Sequence, residues 1–329
     1  MKISVIICTY NPDPIIFGRV LNAVAGLDTT ELETELILVD NNSSNPVGGV
    51  FSKLIDSIPF EKKLVSEPKS GLTNARMAGF AASSGDFLVF FDDDNEPESD
   101  YLQEVRKAFL QFPNVGVFGP GNISVEFMGN PSPWIHYNKS YFQERHYSSP
   151  RFACAEHWMD FYPPGTGQSM RREIFTHYAN LVAIGELSAS DRTGKSLSSA
   201  GDVQLVFEAI KMNYAAGVYP ELKTKHLISE NKTTASYLRR LLFGMASSYP
   251  EAYAECFPHT RSVLPFFTDW QILKKAWFIF WIRVVVKKSP KSFLFQFCEL
   301  LGRMYGSNNA RGGNKNSLWF KLIPILKLK

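Results

Sequence analysis

Cysteine is scarce. Its four residues, Cys8, Cys154, Cys256 and Cys298, stand far apart with no Cys-x-x-Cys pair and no Cys/His spacing, which excludes a disulfide framework and a zinc ribbon. A reducing, cytoplasmic setting is expected. Long apolar runs are missing too: the strongest, residues 276–286, has 11 residues and is interrupted by Arg283, well short of the roughly 20 that a spanning helix needs. The opening MKISVIICTYNP carries an apolar run too short for a signal peptide and followed by Asn-Pro, so it reads as a buried first strand. There is no internal repeat, and 45% hydrophobic against 20% charged residues excludes wholesale disorder. Acids are nearly missing from the end. Residues 270–329 hold 12 Lys+Arg and one acid, Glu299, a charge of +11, and the chain's net +3 leaves −8 for residues 1–269.

What is present is an alternation. With 329 residues the chain has room for one sizeable α/β domain and an appendage. A β-branched run at 3–8, helical spacing over 14–27 and a strand over 35–39 closing on Asp40 make a βαβ start. A helix over 50–58, a strand over 63–66, an Ala-rich helix over 71–83 and the apolar strand 87–91 follow. This order predicts a mostly parallel sheet, with ligands bound beyond the carboxyl ends of its strands. Thr9, Tyr10, Asn11, Asp40 and Asp92-Asp93-Asp94 fall at such ends. Further on, a helix over 101–112, a strand over 116–119, an irregular aromatic stretch over 122–164 and a helix over 172–178 are expected. Then come a polar loop over 186–200, a helix over 203–212, extended pieces at 217–219 and 223–226, and a helix over 233–247. The expected division is a catalytic domain over 1–255 and a basic, aromatic-rich helical extension over 256–329.

Three adjacent carboxylates after an apolar strand repel one another and call for a cation. Mg2+ or Mn2+ suits such oxygen donors, often bridging one or two carboxylates to substrate phosphates. Asp92 and Asp94 point to one side of an extended turn and Asp93 to the other. A solvated, helix-capping turn is the alternative, against which the strand FLVFF argues.

VIICTYN at the start, LILVDNNSS, GLTNARMAGFAASSGDFLVFFDDDN and, later, SLSSAGDVQLVFEAI together resemble the inverting family 2 glycosyltransferases of the GT-A fold. The resemblance covers roughly residues 1–250. It implies an α/β enzyme that takes one sugar from a UDP-, dTDP- or GDP-linked donor to a saccharide or lipid-linked saccharide in surface polysaccharide assembly. It also implies the site: Thr9, Tyr10 and Asn11 near base and ribose, and Asp40 on the base. Gly71, Asn74 and Arg76 match the Gly-x-x-x-Ala-Arg pattern, with Arg76 near the diphosphate. Asp92 and Asp94 match the DXD metal motif, Asp93 faces ribose or sugar, and His226 adds a third metal or diphosphate contact. Asp202 matches the catalytic base.

Each has a plainer reading: a helix N-cap or an Asx turn with Asn41 for Asp40, a surface position for Arg76, a helix N-cap for Asp202, a structural role for His226. Departures from the pattern are Asn95, where the family often has Asp, and Gly201, where it has Glu. The Gln-x-x-Arg-Trp motif of processive relatives is missing, so single-residue transfer is expected. Gly165, Thr166 and Gly167 suit a close backbone approach or a simple turn, Trp158 and Asp160 an acceptor site, and Arg192 and Lys195 a solvated loop or one closing over the donor; Arg239 and Arg240 read as a solvated face, with a reach to the diphosphate as the alternative. A sugar-nucleotide nucleotidyltransferase and a non-catalytic scaffold of the same fold are the rival functions. In the extension, Trp270, Leu273, Trp277, Trp281 and Val284 recur at helical spacing between lysine pairs. That stripe either packs on the protein or meets an anionic membrane at its cytoplasmic face. No nucleic acid is expected, since no binding motif accompanies the basic residues.

Overall fold

The computed structural model describes residues 1–188, 197, 199–313 and 317–329. They form two compact units, Met1–Leu181 with Leu205–Thr233, and Val182–Gln204 with Thr234–Lys329. The boundary drawn from composition, between residues 255 and 256, falls in the second unit at the end of the helix Ala235–Cys256.

The first unit is built on one sheet. Its strands are β1 (Lys2–Thr9), β2 (Glu33–Asp40), β3 (Glu61–Ser66), β4 (Phe87–Asp92), β5 (Asn95–Pro97), β6 (Val115–Phe127), β7 (Arg145–His146), β8 (Arg151–Ala153), β9 (Gln168–Arg171) and β10 (Ala215–Ile228). They lie in the order β3-β2-β1-β4-β9-β6-β10-β5, with β7 on β6 and β8 on β10. The pairs β1–β2, β1–β4, β2–β3 and β6–β10 are parallel, and β9 runs antiparallel to both β4 and β6. The mixed, mostly parallel α/β class expected from the sequence is therefore found.

Helices cover both faces, which is why the central strands are apolar on both sides. On one face, Pro14–Ala25 starts at Asp13, whose carboxylate accepts from the N–H groups of Ile15 and Ile16, and buries Phe17, Val20, Leu21 and Val24. These pack with Ile3, Val5 and Ile7 of β1. On the other, the helix Leu72–Ala82 comes close enough that a Cβ on Gly79 would meet Ile6 and Val39.

Three local expectations need correction. The strand read over 116–119 runs on through β6 into the stretch expected to be irregular. Pro120 and Gly121 hide it by interrupting the apolar pattern, yet Ile123 and Val125 remain buried against β10. The two extended pieces near 217 and 223 are one strand, β10, with a register shift between Tyr219 and Lys223; a Cβ on Gly121 would collide with the Pro220 backbone there. The helix over 50–58 is two short ones, Val47–Val50 and Ser52–Asp56.

In the second unit the helices Ala235–Cys256 and Pro290–Ala310 lie against each other. A Cβ on Gly302 or Gly306 would overlap the carbonyl of Phe243 or Ser247, so glycine permits the close approach. Phe243, Cys298, Leu301, Met304, Phe320 and Ile323 form the core with Ile272 and Ala276 of the helix Asp269–Phe280. That helix begins in a capping box between Thr268 and Gln271 and continues as the π-helical turn Trp281–Val286. Among the described residues no helix is long and apolar enough to cross a membrane.

Candidate active site

Three parallel strands end side by side, because Thr9 pairs with Asp40 and Cys8 with Asp92. The carboxyl edge of the sheet therefore gathers residues 9–11, Asp40 and residues 92–94, as the element order implied. Asn11 adopts a left-handed φ of 47°. Its N–H donates to Ser43 Oγ at 2.9 Å and its Oδ1 accepts from the Ser44 N–H at 2.8 Å, tying the loop after β1 to the loop after β2. Thr9 is buried while Tyr10 is 56% exposed, so the Tyr10 ring is open to stacking.

Asp40 is buried and both of its oxygens accept backbone hydrogen bonds, Oδ1 from Ser43 and Oδ2 from Val47, each at 3.0 Å. These bonds run to the third and seventh residues on, so Asp40 pins the loop after β2 and the first N–H of the helix Val47–Val50. It does not form an Asx turn, which would bond the N–H two residues on. Asn41, expected only as a member of that turn, has a larger part. Its Nδ2 donates to the carbonyls of Glu67 (3.0 Å) and Lys69 (2.8 Å), and its Oδ1 accepts from the Gly71 N–H (2.8 Å). Gly71 has φ 132°, a conformation that favours glycine, and it opens the helix carrying Asn74 and Arg76. Asn74 Nδ2 donates to the Ser70 carbonyl at 3.1 Å. Arg76 is buried, its guanidinium 5.8 Å from the Phe90 ring centroid, so it is not a surface arginine.

The acidic turn is knitted together by Asn95. Its Oδ1 accepts from the Asp92 N–H and its Nδ2 donates to Asp94 Oδ1, both at 3.0 Å. An aspartate here would add a fourth negative charge and lose the donor, which gives this departure from the family pattern a physical reason. Thr9 Oγ1 donates to Asp93 Oδ2 at 2.6 Å. The antiparallel pairing of β5 with β10 sets His226 opposite Asn95, and the Leu227 N–H donates to the Asp94 carbonyl at 2.8 Å. Asp94 is buried between two cationic or potentially cationic groups: Lys232 Nζ lies 2.6 Å from Oδ2 and His226 Nε2 3.4 Å from Oδ1.

Electrostatics separate the neighbouring acids. Burial works to raise the Asp94 carboxyl, but Lys232 and His226 outweigh it and hold it well below the usual carboxylate range. Burial, aided by the charge on Asp94, pushes Asp93 upward. Beside them, burial pushes the Cys8 thiol up to about 12 despite Arg76, which makes it a poor nucleophile.

The geometry bears on a divalent cation. His226 Nδ1 stands 2.9 Å from the Phe142 carbonyl, which can only accept, so Nδ1 carries the proton and Nε2 is turned toward Asp94. A histidine with one nitrogen anchored on a carbonyl is oriented as metal-ligating histidines are. Among the described residues no three His, Cys, Asp or Glu side chains converge into a ready-made cage. Mg2+ and Mn2+ sites commonly use one or two protein donors with phosphate and water, and Asp94 with His226 fits that pattern.

Asp202 lies in the second unit, in the first turn of the helix Gly201–Lys211, where Ser199 Oγ donates to its Oδ2 at 3.3 Å. Trp158 packs edge-to-face on Tyr162 and Phe207, and Asp160 is exposed. Gly167 has φ 63° and its carbonyl accepts from Tyr101 Oη at 2.5 Å. Arg192 and Lys195 lie outside the described residues. Lys232, in the short 3-10 helix Glu230–Thr233, was not anticipated, since no motif marks it.

The sequence model of glycosyl transferase family 2 matches residues 4–178, more than half of the chain, from within β1 to beyond the end of β9. The chain belongs to glycosyl transferase family 2. It is similar to an uncharacterized glycosyltransferase of Nostoc sp., 33% identical over 117 residues, which are 36% of this chain and 35% of that protein. It is also similar to the probable glycosyltransferase YdaM of Bacillus subtilis, 31% identical over 100 residues, 30% of this chain and 24% of the relative. The matches thus span only about a quarter to a third of those relatives' length. Among solved structures, mannosyltransferase PcManGT from Pyrobaculum calidifontis, in complex with GDP-Man and Mn2+, has a TM-score of 0.54 at 15% identity. The alignment covers 95% of this chain and 88% of that one. This likeness supports the GT-A type of fold. His226, Lys232 and Asp202 lie beyond the family match, so geometry and motif alone speak for them.

Proposed function

We propose that the chain is a glycosyltransferase that moves a single sugar, with inversion, from a nucleotide diphosphate sugar to a hydroxyl of a saccharide or lipid-linked saccharide in surface polysaccharide assembly. Family membership supports glycosyl transfer and a nucleotide-sugar donor. The observation that supports cation and diphosphate binding is the buried Asp94 carboxylate held between His226 and Lys232 at the carboxyl edge of the sheet; inversion and the acceptor rest on the resemblance in motif.

In this reading Tyr10 stacks on the base, with Thr9, Asn11 and Asp40 shaping its pocket. Gly71, Asn74, Arg76 and Asp93 serve the ribose and diphosphate, and of Asp92, Asp94 and His226 it is Asp94 and His226 that would hold Mn2+ or Mg2+ directly, with Asp92 adding negative charge beside them. When bound, the cation offsets the charge that builds on the departing nucleoside diphosphate. Lys232 supplies the countercharge that buried Asp94 requires and stands where phosphate oxygens can accept from it. Asp202 takes the proton of the attacking hydroxyl as the oxygen closes on the anomeric carbon opposite the leaving group, while Ser199 steadies its Oδ2. A lipid-linked acceptor is met at a membrane, so peripheral contact with the cytoplasmic face of an anionic membrane belongs to this reading.

The test is the anomeric configuration of the product formed from an α-linked donor with a panel of free and lipid-linked saccharides, read by NMR coupling constants. A β-linkage is expected. An α-linkage would overturn inversion and the role given to Asp202.

A further inference from the structure

The helix predicted from the tryptophan spacing forms, but its aromatic stripe faces outward. Ile272 and Ala276 are the buried residues of Asp269–Phe280, whereas Trp270 and Trp277 are each 62% exposed, Phe278 65% and Trp281 51%. Leu273, Val285 and Val286 are exposed as well. Large aromatics are rarely left so open on one surface without a partner to cover them.

We propose that this face of Asp269–Phe280 and Trp281–Val286 lies flat on an anionic lipid bilayer, giving the membrane contact of the reading above its surface; vesicle binding tests it without reference to turnover. Charge complementarity selects the occupant. Residues 270–329 carry 12 basic residues and one acid, so a second copy pairing through this same face would meet like charge. Lys274 Nζ sits 5.2 Å from the Trp270 ring centroid and Lys275 Nζ 6.0 Å from that of Phe267, and Lys287, Lys288 and Lys291 follow, all exposed. The one acid at the start of the helix, Asp269, accepts from Ser317 Oγ at 2.5 Å and is far outnumbered by the basic residues that follow it. Tryptophan rings at headgroup depth, lysines reaching lipid phosphates and aliphatic side chains between them are the composition of an interfacial helix. Bases of a nucleic acid would leave Leu273, Val285 and Val286 without a partner. The segment is too short to span, and so it lies in the plane.

Flotation of the full chain with phosphatidylcholine vesicles, with and without about one third phosphatidylglycerol, decides the matter. We expect anionic vesicles to bind at least about tenfold more tightly, with a blue shift of tryptophan emission, because each basic residue near such a surface adds to the attraction. W277S/W281S and K274E/K287E/K288E should each lose about tenfold in partition with unchanged melting temperature, since all five side chains are exposed. Absence of vesicle binding, or equal binding by the variants, would overturn the proposal. So would a concentration-dependent dimer in sedimentation that W277S/W281S abolishes, which would assign the face to a second copy.

Discussion

Lys232 Nζ lies 2.6 Å from Asp94 Oδ2, and the two residues are 138 positions apart in sequence. A buried carboxylate paired this way is tolerated because the ammonium offsets its lost hydration. The same ammonium stands where a divalent cation would also be drawn.

Lys232→Met should therefore separate the two partners of Asp94. Leaving Asp94 buried without the ammonium is expected to cost about 3 kcal/mol, lowering the melting temperature. Mn2+ should then stabilise the variant more than the wild type, read by differential scanning fluorimetry across a Mn2+ titration. An identical Mn2+ response in both proteins would remove Lys232 from the cation's surroundings.

Asp202→Asn keeps the size of the side chain and removes its basicity. The expected loss in kcat is about 10²- to 10⁴-fold, the range for a positioned general base, with donor affinity by calorimetry unchanged. A variant that turns over normally would hand the base's role to another group and leave Asp202 as a cap.

Glu35 ties acid stability to one buried carboxylate. It accepts from Ser4 Oγ at 2.7 Å and from Lys63 Nζ at 2.8 Å. Burial, the largest influence, pushes its carboxyl up, but Lys63, Ser4 and Ser84 together pull it down to about 2. A carboxyl depressed in the folded state stabilises the protein above its unfolded value near 4.5, and that contribution fades as pH falls from there toward 2. On the order of 2 kcal/mol is at stake, allowing for screening through the half-exposed Lys63. Urea midpoints followed by circular dichroism should fall across this window in the wild type and stay flatter in Glu35→Gln; parallel curves would refute the assignment.

Gly306→Ala addresses the second unit. The new Cβ overlaps the Ser247 carbonyl, so the two long helices must part, at an expected cost of about 1–3 kcal/mol. Chemical denaturation measures it, and an unchanged midpoint would mean that the helices yield without penalty.

How much of this could be read from the chain varies with the physics involved. β1, β2 and β4 were legible because strands buried on both faces are continuous apolar runs, and their ends placed Thr9, Asp40 and Asp92 on one edge. β6 was lost beyond Pro120, where a proline and a glycine mask pairing that a distant partner strand supplies. Arg76 lies in the Ala-rich helix as expected, but only packing against Phe90 tells that it is buried. The spacing of Trp270, Trp277 and Trp281 gave a helix, and periodicity cannot say which side faces the core. Lys232 carries no motif and meets Asp94 only through β10, so no local pattern announces it.

The central claim is that the edge built around Asp94 binds a nucleoside diphosphate with a divalent cation. Thermal shifts of the wild type and Asp94→Ala with UDP, dTDP, GDP, CMP and ADP, each with and without Mn2+, test it most directly, because a ligand that binds only the native state raises its apparent stability. The account predicts a Mn2+-dependent rise with one diphosphate that Asp94→Ala abolishes. No rise with any nucleotide in folded wild type, or an equal rise in Asp94→Ala, would contradict it.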